Sequence, residues 1–247
     1  MPALPALVRD GVNRVLRPLG VQVVRGHSDD PAIRPFLPAR RILAGARRAG
    51  VPVEDYLDAY SAAPGATAEA ANAMLRMADL GEKADRVCEI GAGSGRYARR
   101  VISALNPEAY EIYETASDWV PYLRGLPGAV IRDADGHTLR QTETGSVDLA
   151  HSHKVFVYLP FVVTAGYLYE MARVLRPGGV AAFDVVTEDC LDEETTRGWV
   201  EHNAVIYGMV SRHWVVDLLA RRGLSLVGSH FEPLSGGWTE LLVFVRN

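Results

Sequence analysis

"VCEIGAGSGRYARR", residues 87–100, sets Gly91, Gly93 and Gly95 into five positions behind the acidic Glu89. Val87, Cys88 and Ile90 read as a buried strand, and the chain from Arg96 reads as a helix. A junction this bare has two physical uses. Glycine takes positive φ without steric penalty, so strand can become helix within a few residues. It also lets a ligand lie against the main chain, where the new helix offers unpaired N–H groups to anionic oxygen. Three glycines together at a strand end favour a ligand-holding loop over a bare turn.

Outward from this loop, strand-like and helix-compatible runs alternate. "RVCEIG", "AYEIYE", "GAVIRD", "SVDLAHS", "GVAAFDVVT", "LSLVGSHFEPL" and "TELLVFVRN" read as strands. "RYARRVISAL" and "VVTAGYLYEMARVL" are the clearest helices between them. The alternation predicts an α/β fold, with an open, largely parallel sheet covered on both faces. No helix separates the last two runs; "SGGW" joins them into an antiparallel hairpin. Ligands of such sheets bind beyond the carboxyl ends of the strands. Residues 1–65 read as an N-terminal, mostly helical appendage, with helices at "LVRDGVNRVLRPLG", "PARRILAGARRAG" and "VEDYLDAYSAA" and a short strand at "VQVV". Residues 66–247 form the second unit, opening on a helix over 66–80 that Gly81 caps.

Composition narrows the function classes. The 247 residues are 48% hydrophobic, enough for a sizeable core. The net charge of −4 disfavours nucleic acid as the main partner. No apolar run is long enough to span a bilayer, and the first twenty residues lack the pattern of a secretory signal. Cys88 and Cys190 stand far apart, which argues against a zinc site or disulfide framework and for a reducing, cytoplasmic setting. Residues 1–50 carry nine Arg against Asp10, Asp29 and Asp30, so the remainder is strongly acidic. That segment is either folded onto the acidic part or a weak membrane-surface contact; a homodimer contact is a further use for the appendage.

Two ligand classes compete for the loop. Gly93-Ser94-Gly95-Arg96-Tyr97-Ala98 satisfies the dinucleotide pattern G-x-G-x-x-A. Glu89 argues the other way, since an acid before the first glycine repels a pyrophosphate. It suits a ligand with an ammonium and a sulfonium, namely S-adenosylmethionine. Glu114 ends the second strand, where a carboxylate accepts both ribose hydroxyls; this is common to both classes.

Residues from about 82 to the C-terminus resemble a class I S-adenosylmethionine-dependent methyltransferase. The resemblance rests on "VCEIGAGSGRY", Glu114, "DADGHTL", "GSVDLAHSHKVFVYLP", "YEMARVLRPGGVAAFD" and the terminal hairpin, with "RVLRPGG" before a strand the most typical piece. It implies a Rossmann-like seven-stranded sheet in order 3-2-1-4-5-7-6 with strand 7 antiparallel. Glu89, Gly91, Gly93 and Gly95 match the loop holding the methionine part, and Glu114 the ribose ligand. Asp135 with the Gly136 backbone, or Asp133, matches the adenine-contacting turn. Ser152 and His153 match the end of strand 4 beside the transferable methyl. Relatives often carry a Glu-His pair after that strand, where this chain has Val157-Tyr158.

A hydroxyl acceptor needs a base to take its proton, whereas an amine needs less help. "HSHK" supplies His153 as the leading base and His151 as the second, on one strand face if the strand runs that far. Asp184, Glu188 and Asp189 lie near strand 5, but no acid stands at the end of strand 4, so Mg2+ is not the favoured reading and no metal site is assigned. The acceptor pocket is expected from residues 191–210 and the hairpin loop, with Trp199, His202, Tyr207 and Trp238 lining it, and Tyr56 and Tyr60 of the appendage closing over it. "DGHTL", "VFVYLP" and "GGWTELLVFVRN" look like saccharide-modifying methyltransferases of actinobacteria. The resulting expectation is O-methylation of a sugar or oligosaccharide, a polysaccharide or glycolipid precursor. N- or C-methylation of a natural product or lipid precursor, or cofactor binding without turnover, are the alternatives.

Overall fold

The inner strands of the sheet bury both faces, so their side chains alternate between two cores. The strands are β1 (Arg86–Ile90), β2 (Ala109–Tyr113), β3 (Ala129–Arg132), β4 (Val147–Ser152), β5 (Leu175–Val185), β6 (Leu224–Leu234) and β7 (Gly237–Arg246). In the computed structural model, which describes residues 37–61, 63–81, 84–201 and 207–247, they form one sheet in the order β3-β2-β1-β4-β5-β7-β6. β1 to β5 pair in parallel, and β7 runs antiparallel to both neighbours. This is the expected order, down to the hairpin at "SGGW". The helix read at 7–20 and the strand at 21–24 lie outside the described residues.

One face carries Val87, Tyr110, Ile112, Leu149, Val180 and Leu241. It packs on α1 (Ala39–Ala49), α2 (Val53–Tyr60), α3 (Ala66–Ala78) and α4 (Arg96–Leu105) through Ile42, Leu57, Met74 and Val101. A short α5 (Val120–Leu123) follows β2. The other face carries Cys88, Ile90, Ala150, Phe183 and Phe244. It packs on α6 (Phe161–Val174) and α8 (Arg212–Ala220) through Leu168, Met171, Val215 and Leu219; α7 (Glu193–Glu201) lies between β5 and α8 in the chain. The strand order reverses between β1 and β4, which opens the crevice at their carboxyl ends.

Local chemistry sets the helix ends. α3 stops at Ala78 rather than at Gly81, because Asp79 itself takes the left-handed conformation (φ 45°) and donates its N–H to the Leu75 carbonyl. A short polar side chain tolerates that conformation. α4 ends likewise at Asn106, φ 44°.

Residues 39–60 share the core of the sheet. Ile42 is 1% exposed in the same cluster as Met74 and Val87. The Ala39 N–H donates to Asp118 Oδ2 (2.7 Å), and Trp119 Nε1–H donates to the Leu37 carbonyl (3.0 Å). Asp58 accepts from the Thr67 amide (3.1 Å), the Thr67 hydroxyl (2.6 Å) and Arg96 (3.1 Å), joining α2 to the starts of α3 and α4. Truncating a buried isoleucine costs about 2–4 kcal/mol. Ile42→Ala is therefore expected to lower the main denaturant-unfolding transition by that amount. A main transition left unmoved would mean that α1 and α2 fold apart from the sheet.

Candidate active site

Gly91, Gly93 and Gly95 have φ of 70°, 52° and 73°, all in the left-handed region that side chains avoid. Their surroundings differ. A Cβ on Gly91 would sit 2.4 Å from Val155 Cγ2, and one on Gly95 would meet Leu123 at 3.0 Å. A Cβ on Gly93 would meet no protein atom within 4 Å, yet Gly93 lines a cavity. Open space above a left-handed glycine leaves the main chain bare toward whatever fills that cavity.

The cavity holds about 460 Å³ at the carboxyl ends of the strands, within the range of small-molecule sites. From the β3–β2 side come Gly136, Thr115, Ala116 and Trp119; the middle is Gly91 to Ser94 and Glu114. From the β4–β7 side come His153, Lys154, Tyr158 and Pro233 to Ser235. α2 and the chain after it contribute Asp58, Tyr60 and Ser61, and α4 contributes Arg96 and Tyr97. Glu114 Oε2 accepts from the Gly93 amide (2.6 Å) and Oε1 from the Ala116 amide (2.6 Å). Each oxygen keeps a further acceptor site. Burial pushes the Glu114 carboxyl up from its ordinary range.

His153 sits in the wall, 4% exposed, with its ring stacked on Tyr97 at 4.0 Å and 8°. Neither ring nitrogen has a hydrogen-bond partner. Burial, with the charges of Lys154 and Arg96, lowers its pKa to about 3, so the imidazole is neutral. Lys154 follows in a left-handed conformation (φ 56°). Its amide donates to Asp184 Oδ1 (2.6 Å), and its ammonium pairs with Glu232 (2.8 Å) and Asp184 (3.2 Å). Burial favours the neutral amine, but those two carboxylates hold the ammonium charged.

Four of the anticipated cofactor-binding residues meet at the cavity wall with His153: Gly91, Gly93, Glu114 and Gly136. The others lie elsewhere. Glu89 is beneath the loop, 1% exposed, accepting from the Tyr110 hydroxyl (2.8 Å). His151 ends fully buried, with Nε2 2.7 Å from that hydroxyl. Because β4 stops at Ser152, the two histidines do not share a strand face into the cavity. The Ser152 hydroxyl donates to the Ile90 carbonyl, and Gly95 packs on Leu123 and Leu126. Asp133 pairs with Arg140 on the surface, while Asp135 accepts from the amides of His137 (3.0 Å) and Thr138 (2.7 Å) in its own turn. Of that turn, Gly136 reaches the wall.

The aromatic residues expected around the acceptor stand back from it. Trp199 donates to the Ser235 carbonyl (3.1 Å) and packs at a tilt on Tyr207 (4.7 Å between ring centroids), which lies 5.7 Å from the wall residue Tyr158. Trp238 is 46% exposed and outside the wall. His202 lies outside the described residues. Tyr60 does line the cavity, whereas Tyr56 packs over Gly45, where a Cβ would sit 2.3 Å from its hydroxyl. Sequence reasoning missed Asp58, Arg96, Tyr97 and Tyr158 as wall residues. The first three stand at the ends of α2 and the start of α4, and that position at the sheet's carboxyl edge was the available signal.

Among the described residues no group of three or more His, Cys, Asp and Glu side chains converges as a metal site. Asp184 is paired with Lys154, Glu188 accepts from the Arg212 amide (2.8 Å), and Asp189 is exposed. No described helix is long and apolar enough to cross a membrane.

A model of the methyltransferase domain matches residues 65–228, two thirds of the chain. The chain belongs to this methyltransferase family. No curated protein matches it. Among solved structures, a candidate sarcosine dimethylglycine methyltransferase from Galdieria sulphuraria is 15% identical, with a TM-score of 0.58 over 87% of this chain and 92% of that one. The N-methyltransferase NodS from Bradyrhizobium japonicum, solved with S-adenosylhomocysteine, is 16% identical, with a TM-score of 0.54 over 72% and 86%. An S-adenosylmethionine-dependent methyltransferase from Mesorhizobium loti is 18% identical, with a TM-score of 0.57 over 73% and 100%. At such identities the likeness is one of fold. Among the described residues, a cavity runs from the glycine loop to His153.

The buried histidine makes a stability prediction. Below its ordinary pKa of 6.5 the unfolded chain protonates His153 and the native chain does not, so the unfolded chain binds more protons. Stability attributable to His153 is therefore present above pH 6.5 and lost as pH falls toward 3. The loss is at most about 1.4 kcal/mol per pH unit. Denaturant unfolding at pH 7 and pH 5 is expected to lose less stability in His153→Gln than in wild type. Equal losses would mean that the imidazole is protonated in the native state.

Proposed function

We propose that the cavity seats S-adenosylmethionine and that this methyltransferase methylates a hydroxyl of a small polar acceptor, with a sugar or saccharide as the class. The observation that carries the reading is His153: a neutral imidazole in the wall, ring fixed against Tyr97, with two unpartnered nitrogens. A neutral imidazole so placed can take a hydroxyl proton.

The residues present fit the cofactor. Gly93 is open to the cavity, and the paired oxygens of Glu114 suit a vicinal diol. When bound, S-adenosylmethionine supplies an electrophilic methyl group on a sulfonium. The chain's own work is to align the acceptor and hold its proton. Tyr97 keeps the His153 ring from turning. Tyr60, Tyr97 and Tyr158 give aromatic faces, and Arg96, Asp58 and Lys154 give charged edges. That mixture of flat apolar faces and polar groups fits a sugar ring.

A second reading has an observation of its own. The low pKa of His153 makes it a weak base, and a neutral amine needs none. N-methylation of an amine-bearing acceptor is the alternative, and one variant separates the two.

Isothermal titration with S-adenosylhomocysteine is expected to show binding that Glu114→Ala weakens about 10–100-fold, the equivalent of one or two charge-assisted hydrogen bonds. Absence of binding to the wild type would remove the cofactor reading. With a hydroxyl acceptor in hand, His153→Ala is expected to lower kcat about 10²–10⁴-fold with the affinity for S-adenosylhomocysteine kept. Turnover of an amine acceptor at an unchanged rate in that variant would favour N-methylation.

A further inference from the structure

One buried cluster has no part in the chemistry above. Tyr110 on β2 reaches across β1, so that its hydroxyl oxygen lies 2.8 Å from Glu89 Oε2 and 2.7 Å from His151 Nε2 on β4. Glu89 and His151 are register partners on adjacent strands. None of the three is more than 1% exposed. A tyrosine hydroxyl has one proton, so the chain has two arrangements. With Glu89 ionised, His151 Nε2–H donates to Tyr110 and Tyr110 donates to Glu89. With Glu89 protonated, its carboxyl O–H donates to Tyr110, Tyr110 donates to a bare Nε2, and the imidazole proton sits on Nδ1. His151 Nδ1 has no hydrogen-bond partner, which makes it the open end of the chain. The ring of His153 in the cavity wall lies 5.5 Å away, centroid to centroid.

We propose that Glu89, Tyr110 and His151 form a proton store beneath the glycine loop, filled when the cavity holds no cation and emptied when a sulfonium ligand is seated. The inference rests on the reading of the cavity as an S-adenosylmethionine site. Burial raises the Glu89 carboxyl to about 8, against the hydrogen bond from Tyr110, so the acid is protonated at neutral pH. The charges that act on it come largely from the cavity wall and α4. Glu114 strengthens its hold on the proton, while Arg96 and Arg99 weaken it. A cation in the cavity acts on Glu89 as Arg96 does, through an interior of low dielectric. His151 does not compete for the proton, because burial and its neighbour His153 keep it neutral.

The store has a use in turnover. A hydroxyl acceptor gives up one proton as its oxygen gains the methyl. With Glu89 already ionised, that proton has a buried destination: from His153 to His151 Nδ1, from His151 Nε2 to Tyr110, and from Tyr110 to Glu89 Oε2. Each group along the way ends with the proton count it began with, and Glu89 gains one.

The test is isothermal titration of the full chain at pH 7 with S-adenosylmethionine and with S-adenosylhomocysteine. Each is run in phosphate and in Tris, whose different ionisation heats report protons released. The sulfonium charge distinguishes the two ligands. S-adenosylmethionine is expected to release about half a proton per site or more beyond S-adenosylhomocysteine. The excess should disappear in Glu89→Gln, and in wild type at pH 9.5, where the store is already empty. The wild-type arm decides the matter if the variant does not fold. Equal release for both ligands at pH 7, or an excess that persists at pH 9.5 or in Glu89→Gln, overturns the proposal. Failure of either ligand to bind wild type overturns the cofactor reading and this inference with it, an outcome distinct from binding without excess release.

Discussion

β1 must stop, turn and become α4 within five residues, and it does so with three of them left-handed. Most of the site depends on that turn. The Gly91 amide donates to the Tyr113 carbonyl (2.8 Å), and the Gly93 amide donates to Glu114, so the loop and the end of β2 are set by the same atoms. Val155 lies where a Cβ on Gly91 would be, which presses the chain after β4 against the loop. Lys154 and His153 are one and two residues before that contact. The bare main chain therefore fixes both the loop at the cavity floor and the position of the wall around His153, and a side chain at Gly91 would disturb the two together.

Such a turn is legible in sequence because it is local. Glycine at a strand end has few uses, and strands buried on both faces read as continuous apolar runs. The hairpin was legible for the same reason, since "SGGW" leaves no room for a crossover. The acceptor wall was not. Trp199 and Tyr207 are large and near the active edge, but Trp199 is bonded to the carbonyl of Ser235 and packed on Gly237. It props the hairpin turn from behind, and the turn presents Ser235 to the cavity. Spacing along a chain does not separate a wall from its backing. Asp133 and Asp135 pose a similar difficulty: an acid that completes its own turn and one that reaches a ligand look alike in sequence, and here Asp135 is occupied by Thr138.

The charges of the wall were illegible for a different reason, since they depend on chain segments far apart. Asp58 meets Arg96 across 38 residues, and Lys154 meets Asp184 and Glu232 across 30 and 78. Taking such charges out of water costs several kcal/mol per ion, so well-packed apolar residues would serve stability as well or better. Their place beside an open cavity is what the proposed function uses. Fixed, mutually paired charges would be pre-set donors and acceptors for the polar acceptor we propose, with no rearrangement needed when it arrives.

The same charges set the character of His153. Burial, with the charges of Lys154 and Arg96, lowers its proton affinity, so the group we propose as the base is poor at keeping a proton. An efficient general base has a pKa near the working pH. A weak base is useful under one condition: the proton must move on. Glu89 has the opposite character, being buried, anionic only at a cost, and raised to about 8. Between these two lies His151, neutral and open at Nδ1, bonded through Tyr110 to the acid. Proton affinity is thus higher at Glu89 in the sheet interior than at His153 in the cavity wall, and the groups between them are hydrogen-bonded at every link but the one between the two imidazole rings.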